Sequence, residues 1–273
     1  MAMRVGVILS GCGAQDGSEI HEAVLVLHML ERLGARALCM APSTAFPRVM
    51  DHLTGKPDPA ASPRQALSEA ARIARGAIRD ISTVGEDELD ALILPGGFGV
   101  ATLLSDYAHK GVVCEVIPDV SRLLKGMLRH RRPMGFICLA PILAARVLGP
   151  AAGVRITLGT KSCEEAKHAA VMGADVRPCP VREIVVDEKN RVASTPAYMY
   201  DDAKLLDVGI GIDHLVRAVV TMGRQRREKP PAPNPGQPRV PAKLAPRTDG
   251  VSVRKAGSGR NRDAATRPGG GSS

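Results

Sequence analysis

At 273 residues the chain is long enough for one large domain or two small ones, and its apolar content of 44% is that of a globular protein. Aromatic residues make up only 2%, with no Trp, which argues against stacking platforms for single-stranded nucleic acid or sugars. The formal charge of +9 is confined to one end: residues 224–273 carry 12 Lys/Arg and 3 Asp/Glu, and residues 1–223 carry 25 of each sign. The same last stretch holds eight of the 21 prolines and ends in GGGSS, so it reads as a disordered basic tail on a folded domain of residues 1–223. Such a tail either makes weak, salt-sensitive contacts with polyanions or only solubilises the chain. No run of apolar residues predicts a membrane span, and the N-terminal residues do not read as a signal peptide. Cys12, Cys39, Cys114, Cys138, Cys163 and Cys179 form no CxxC pair, which suggests a reducing setting, taken here as the cytoplasm.

In chain order, short apolar runs alternate with helical periodicity, the pattern of a doubly wound α/β domain with a mostly parallel sheet. Arg4 to Ser10 predicts a buried first strand, followed by a Gly-rich loop and a helix from Ser18 to Leu33 closed by Gly34. Arg36 to Ala41 predicts a second strand. Residues 42–62 form a long Pro-rich excursion before the helical stretch SPRQALSEAARIARG, which Gly76 stops. Leu89 to Leu94 is the next buried strand and runs into PGGFG. A helix over Ile117 to Arg129 leads to a strand over Met134 to Ile137 and a sharp junction at Cys138. Beyond it the pattern predicts a helix at Pro141 to Leu148, a strand at Val154 to Leu158, and a helix at Glu164 to Met172. The hairpin REIVVDEKNRVAST and a closing helix over Asp202 to Met222 complete the domain.

Cys138 is the strongest candidate for chemistry. A thiol between a strand end and a helix start sits where the helix N-terminus favours a thiolate and where free N–H groups can hold an anion. A buried, inert cysteine fits the same position. Gly96 and Gly97 in PGGFG allow an exposed N–H after the preceding strand, so Gly97 and Leu139 are candidate oxyanion donors; a plain turn is the other reading. In SGCGAQDGSEIHE, Glu19 and Glu22 share a helix face and His21 points away from it. A carboxylate near the thiol can shuttle protons, with burial raising its pKa, although acidic residues in a first turn also serve as caps. Cys12 reads as structural, or as a second thiol. The seven histidines form no HxH or HExxH group, and no GxGxxG or GxxxxGK[ST] follows a strand. No metal or other cofactor is expected.

The segments SGCGAQDGSEIHEAV, HLTGK, SEAARIARG, LPGGFG, GFICLAP and STPAYM, in this order over residues 3–222, closely resemble the ElbB family of isoprenoid-biosynthesis glyoxalase-like proteins. That resemblance implies the DJ-1/PfpI superfamily with its flavodoxin-like, class I glutamine amidotransferase-like fold. It implies Cys138 as nucleophile, Glu22 as its carboxylate partner, Gly97 with Leu139 at the oxyanion hole, and Gly96, Glu19 and Cys12 around them. Glu22 is preferred to Glu19 because its distance from Gly34 matches the superfamily's spacing. Two departures stand out: Leu139 follows the cysteine where peptidase relatives place a histidine, and TLGTKS carries Thr160 where others carry one. The function so implied is a cofactor-independent glyoxalase acting on small 2-oxoaldehydes such as methylglyoxal, in a homodimer without membrane attachment. The alternatives are a redox-sensing regulatory protein and a glutaminase-like subunit.

Overall fold

The apolar runs form strands whose alternate residues face opposite helical layers. The computed structural model describes residues 2–228, and the remainder of the basic tail lies outside them. In β1 (Arg4–Ile8), Val5 and Val7 face one layer, and Ile8 faces the other. Helix α1 (Ile20–Arg32) buries Ala23, Val26, Met29 and Leu30 as one stripe and is followed by Gly34 at φ 66°. Strand β2 (Arg36–Ala41) leads into the excursion, which is a small hairpin of β3 (Met50–Asp51) and β4 (Lys56–Pro57). The excursion covers the loop after β1: Met50 N donates to Asp16 at 2.8 Å and Gln15 N to His52 at 3.2 Å.

Next come α2 (Ala66–Ile73), β5 (Ile78–Asp80), β6 (Ala91–Leu94), the short α3 (Gly99–Thr102) and α4 (Tyr107–Lys110), and α5 (Pro118–Arg129). Strand β7 (Met134–Ile137) and α6 (Pro141–Ala152) flank the junction at Cys138. The chain continues through β8 (Arg155–Ile156), α7 (Glu164–Val171), β9 (Asp175–Val176), β10 (Val185–Asp187), β11 (Val192–Thr195) and α8 (Leu205–Glu228).

Seven strands make one sheet in the order β10-β11-β7-β6-β1-β2-β5, parallel throughout except for the antiparallel β10–β11 pair. Helices α1 and α8 pack on one face through Val26, Leu30, Ile212, Leu215 and Val219. Helices α5 and α6 pack on the other through Leu123, Leu124, Met127, Ile142 and Leu143. This is the expected α/β architecture. From β1 the chain winds outward to β2 and β5 and then returns to β6 on β1's other side, so a crevice opens at the C-terminal ends of β1 and β6.

Two expectations are corrected, and one strand had not been read. The strand expected at Val154 to Leu158 is only Arg155–Ile156, paired with β9 in a separate two-stranded sheet, because the open edge of β7 is taken by β11. The edge strand β5 has only three residues, two of them charged, and so gave no apolar run to read. Helix α8 continues to Glu228, past the boundary expected at residue 223, because RQRRE is charged but rich in good helix formers.

Candidate active site

Cys138 follows β7 directly, and its backbone takes φ 58°, the left-handed region that non-glycine residues rarely enter. The bend is held from both sides: Cys138 N donates to Thr195 O at 3.0 Å, and Ala140 N to Ile137 O at 3.0 Å. Helix α6 begins three residues on, with Pro141 in its first turn. The residue is 8% exposed.

Glu22 arrives from the first turn of α1 and is fully buried. Its Oε2 accepts the Gly96 N–H at 2.7 Å. Its Oε1 is buried with no hydrogen-bond partner among the described residues, although the Cys138 thiol and the Tyr198 N–H still favour the charged carboxylate. Burial, and then the neighbouring charge of Glu19, push the Glu22 carboxyl up to about 8. Glu19 caps α1, its Oε2 accepting Glu22 N at 2.7 Å, and its own N–H donates to Gly96 O at 3.0 Å.

The PGGFG loop joins these pieces. A Cβ at Gly96 would lie 2.5 Å from Cys138 Cβ and 2.9 Å from Glu22 Oε2, so thiol and carboxyl flank this one glycine. Gly97 has φ 95°, and a Cβ there would come within 2.4 Å of both Glu19 N and Gly17 O. The N–H groups of Gly97 and Leu139 both favour a thiolate at Cys138. They do not prevail: burial, followed by the Glu22 charge, raises the thiol well above its ordinary range. The N–H groups favour the thiolate in the direction expected of the helix start, but desolvation of the enclosed sulfur outweighs them.

Gly96→Ala is expected to destabilise the protein by roughly 1–3 kcal/mol through overpacking between Cys138 and Glu22. Gly209→Ala, in α8 where the nearest atom to an added Cβ is 3.9 Å away, is expected to stabilise by about 0.5–1 kcal/mol. Urea midpoints of the two variants check the contrast.

Cys12 lies apart from this group: it is half-buried, and its charged neighbours are Glu69, Arg72, Asp16 and Arg64. His21, which the helical spacing turned away from Glu19 and Glu22, lies at the rim. Its Nδ1 is 3.0 Å from Tyr198 Oη and 3.6 Å from Glu19 Oε1. Tyr198 had no role in the sequence reading. It reaches the site because Ala197, at φ 46°, turns the STPAYM segment back over α1. The motif itself was visible, but a left-handed alanine has no sequence signal. Among the described residues no group of three or more His, Cys, Asp or Glu side chains forms a metal site.

No protein-family model matches the chain. A solved structure from Ehrlichia chaffeensis, an isoprenoid biosynthesis protein with an amidotransferase-like domain, is 33% identical with a TM-score of 0.75, covering 81% of this chain and 99% of that one. The molecule is thus a class I glutamine amidotransferase-like protein. A glyoxalase III from Candida albicans, 14% identical with a TM-score of 0.53, covers 80% of this chain and 97% of that one and shares the fold. The mitochondrial glutamine amidotransferase-like class 1 domain-containing protein 3 of Homo sapiens is 41% identical over 81% of this chain and 84% of its own. The mitochondrial ES1 protein homolog of Rattus norvegicus is 40% identical over 80% of this chain and 84% of its own. The chain belongs to this ES1 family, with which the ElbB-like resemblance agrees at family level. The cytoplasmic setting is overturned, since these relatives are named mitochondrial. Free thiols report a reducing environment and do not say which compartment provides it.

Proposed function

We propose that the protein is a cofactor-independent glyoxalase that converts small 2-oxoaldehydes to 2-hydroxy acids. The observation that carries this reading is a buried carboxyl group, titrating at about 8, that shares Gly96 with a cysteine whose sulfur faces two backbone N–H groups. In methylglyoxal the Cys138 sulfur bonds to the aldehyde carbon while its proton passes to the Glu22 carboxylate. The aldehyde oxygen takes the electron pair and is held by the Gly97 and Leu139 N–H groups. Glu22 returns that proton to the oxygen, which completes the hemithioacetal and frees the carboxylate again. Glu22 then removes the hydrogen from the former aldehyde carbon as a proton, the electron pair passes to the ketone oxygen, which takes up the neighbouring hydroxyl's proton, and Glu22 returns its proton to the second carbon, leaving a thioester of the 2-hydroxy acid. Water cleaves the thioester, giving lactate and the free thiol. The sequence needs one carboxyl group and no histidine.

The other two readings are less well supported. A peroxide-sensing cysteine works as an exposed, low-pKa thiolate, whereas Cys138 is enclosed and its thiol is raised. Glutamine hydrolysis by relatives uses a histidine beside the nucleophile or on a later strand, and Leu139 and Thr160 stand at those places here.

The test is lactate production from methylglyoxal by the full chain. Turnover by the wild type and its loss in Cys138→Ser support the reading. Absence of lactate with the wild type, or equal rates in the two proteins, overturns it.

A further inference from the structure

At the end of the sheet away from Cys138, the turns entering β7 and β11 are built from arginines. Arg131 and Arg132 lie in the turn before β7, Arg191 directly precedes β11, and Arg226 is in the last turns of α8. Arg131 and Arg191 hold φ 51° and 57°, so two long cationic side chains occupy left-handed positions that glycine or asparagine would take with less strain. The guanidinium groups oppose one another. After burial, Arg226 acts against the charge of Arg132, and Arg131 and Arg226 act against that of Arg191. His130 beside them is lowered by burial and by Arg129, Arg132 and Arg226.

Helix capping accounts for part of this gathering. Arg226 Nε donates to His130 O at 3.1 Å beyond the end of α5, and Arg191 Nη2 donates to Met222 O in α8. Nearby carboxylates account for another part: Asp90, Asp87 and Glu86 favour the charge of Arg132, and Glu86 pairs with Arg129 at 2.7 Å. Neither accounts for Nε and Nη1 of Arg132 or Nε of Arg191, which are buried with no hydrogen-bond partner among the described residues. Folding rarely leaves charged donors unsatisfied.

We propose that the cluster of Arg131, Arg132, Arg191 and Arg226 is a binding site for a compact multivalent oxyanion of the phosphate or diphosphate class. Such an anion supplies several acceptor oxygens to planar guanidinium forks and neutralises charges that otherwise repel. Both Arg132 and Arg191 are half-buried, so each keeps surface that a small anion can approach. An extended single-stranded polymer fits less well, because no aromatic side chain stands among these residues. The phosphate group is the same whether free in solution or carried on a lipid headgroup. The site uses no residue of the thiol centre and does not depend on its activity.

The experiment titrates the full chain with inorganic pyrophosphate by calorimetry at fixed ionic strength, and in parallel measures sedimentation with phosphatidylcholine vesicles with and without phosphatidic acid. Saturable pyrophosphate binding is expected, weakened at least tenfold in Arg132→Met and Arg191→Met and less strongly in Arg226→Gln. Cys138→Ser is expected to bind as the wild type does. If Arg132→Met or Arg191→Met fails to fold, Arg226→Gln decides. Sedimentation only with phosphatidic acid, competed by pyrophosphate, assigns a lipid source; calorimetric binding without sedimentation assigns a free anion. Absence of pyrophosphate binding, or binding equally strong in every folded arginine variant, overturns the proposal and leaves any residual affinity to the basic tail.

Discussion

Replacing Glu22 with glutamine is expected to raise stability near pH 8 relative to the wild type by on the order of 3 kcal/mol more than it does near pH 4.5. The reason lies in the displaced titration. The carboxyl titrates from about 4.5 in the unfolded chain and at about 8 in the folded one, so between these values the native state keeps a proton that the unfolded state has lost. This group's contribution is fully present below pH 4.5 and is lost as pH rises through 8. Glutamine does not titrate, and the loss disappears with it. For a domain of this length that corresponds to about 6–12 °C in melting temperature. Melting curves of both proteins at pH 4.5 and 8 check the sign, and a difference independent of pH would contradict it. The same variant is expected to lose at least 100-fold in lactate formation, because the amide can neither take the thiol proton nor move one between carbons. A residue that lowers stability at working pH and is needed for turnover is a signature of function rather than packing.

The second large effect concerns Cys138 itself. Alkylation by iodoacetamide at pH 7 is expected to be at least tenfold slower than that of a free cysteine, because the thiol is enclosed and raised. The rate should climb with an inflection near 8, where the coupled Glu22–Cys138 pair gives up its first proton, and that inflection should vanish in Glu22→Gln. Turnover should follow the same rise, as the singly ionised pair is its reactive form, and Cys138→Ala should reduce it by about 10³-fold or more. An alkylation rate already level below pH 6 would mean a preformed thiolate and would remove the carboxyl group from the mechanism. The contrast with the sequence reading is informative: position at a helix start can be read from MGFICLAP, but enclosure of the sulfur by other segments cannot.

What was legible followed the apolar runs. Strands β1, β2, β6 and β7 and helices α1, α5 and α6 fall where periodicity put them, because each contributes a continuous stripe to one of two cores. The meeting of Cys138, Gly96, Gly97 and Leu139 was also accessible, since all lie just past strand ends that a parallel sheet gathers at one edge, whereas Glu22, in the first turn of α1, was separated from Glu19 only by the family resemblance. Elements stabilised by their surroundings were not. Strand β5 exists through pairing with β2, and β8 lies outside the main sheet because β11 occupies the edge of β7. Tyr198 and His21 meet only because Ala197 adopts an unfavourable backbone angle, which depends on the closing of the whole domain. The tail beyond Glu228 remains an expectation from composition.

Parallel pairing gives a sheet unlike poles, and this one separates its unusual chemistry by polarity. Thiol and carboxyl gather where strands finish; guanidinium groups gather where β7 and β11 start. Strand β7 spans four residues, about 13 Å of rise, so cargo held at the cationic pole leaves the opposite crevice uncrowded. An anionic support could serve as a handle there, presenting the thiol face outward to bulk solution.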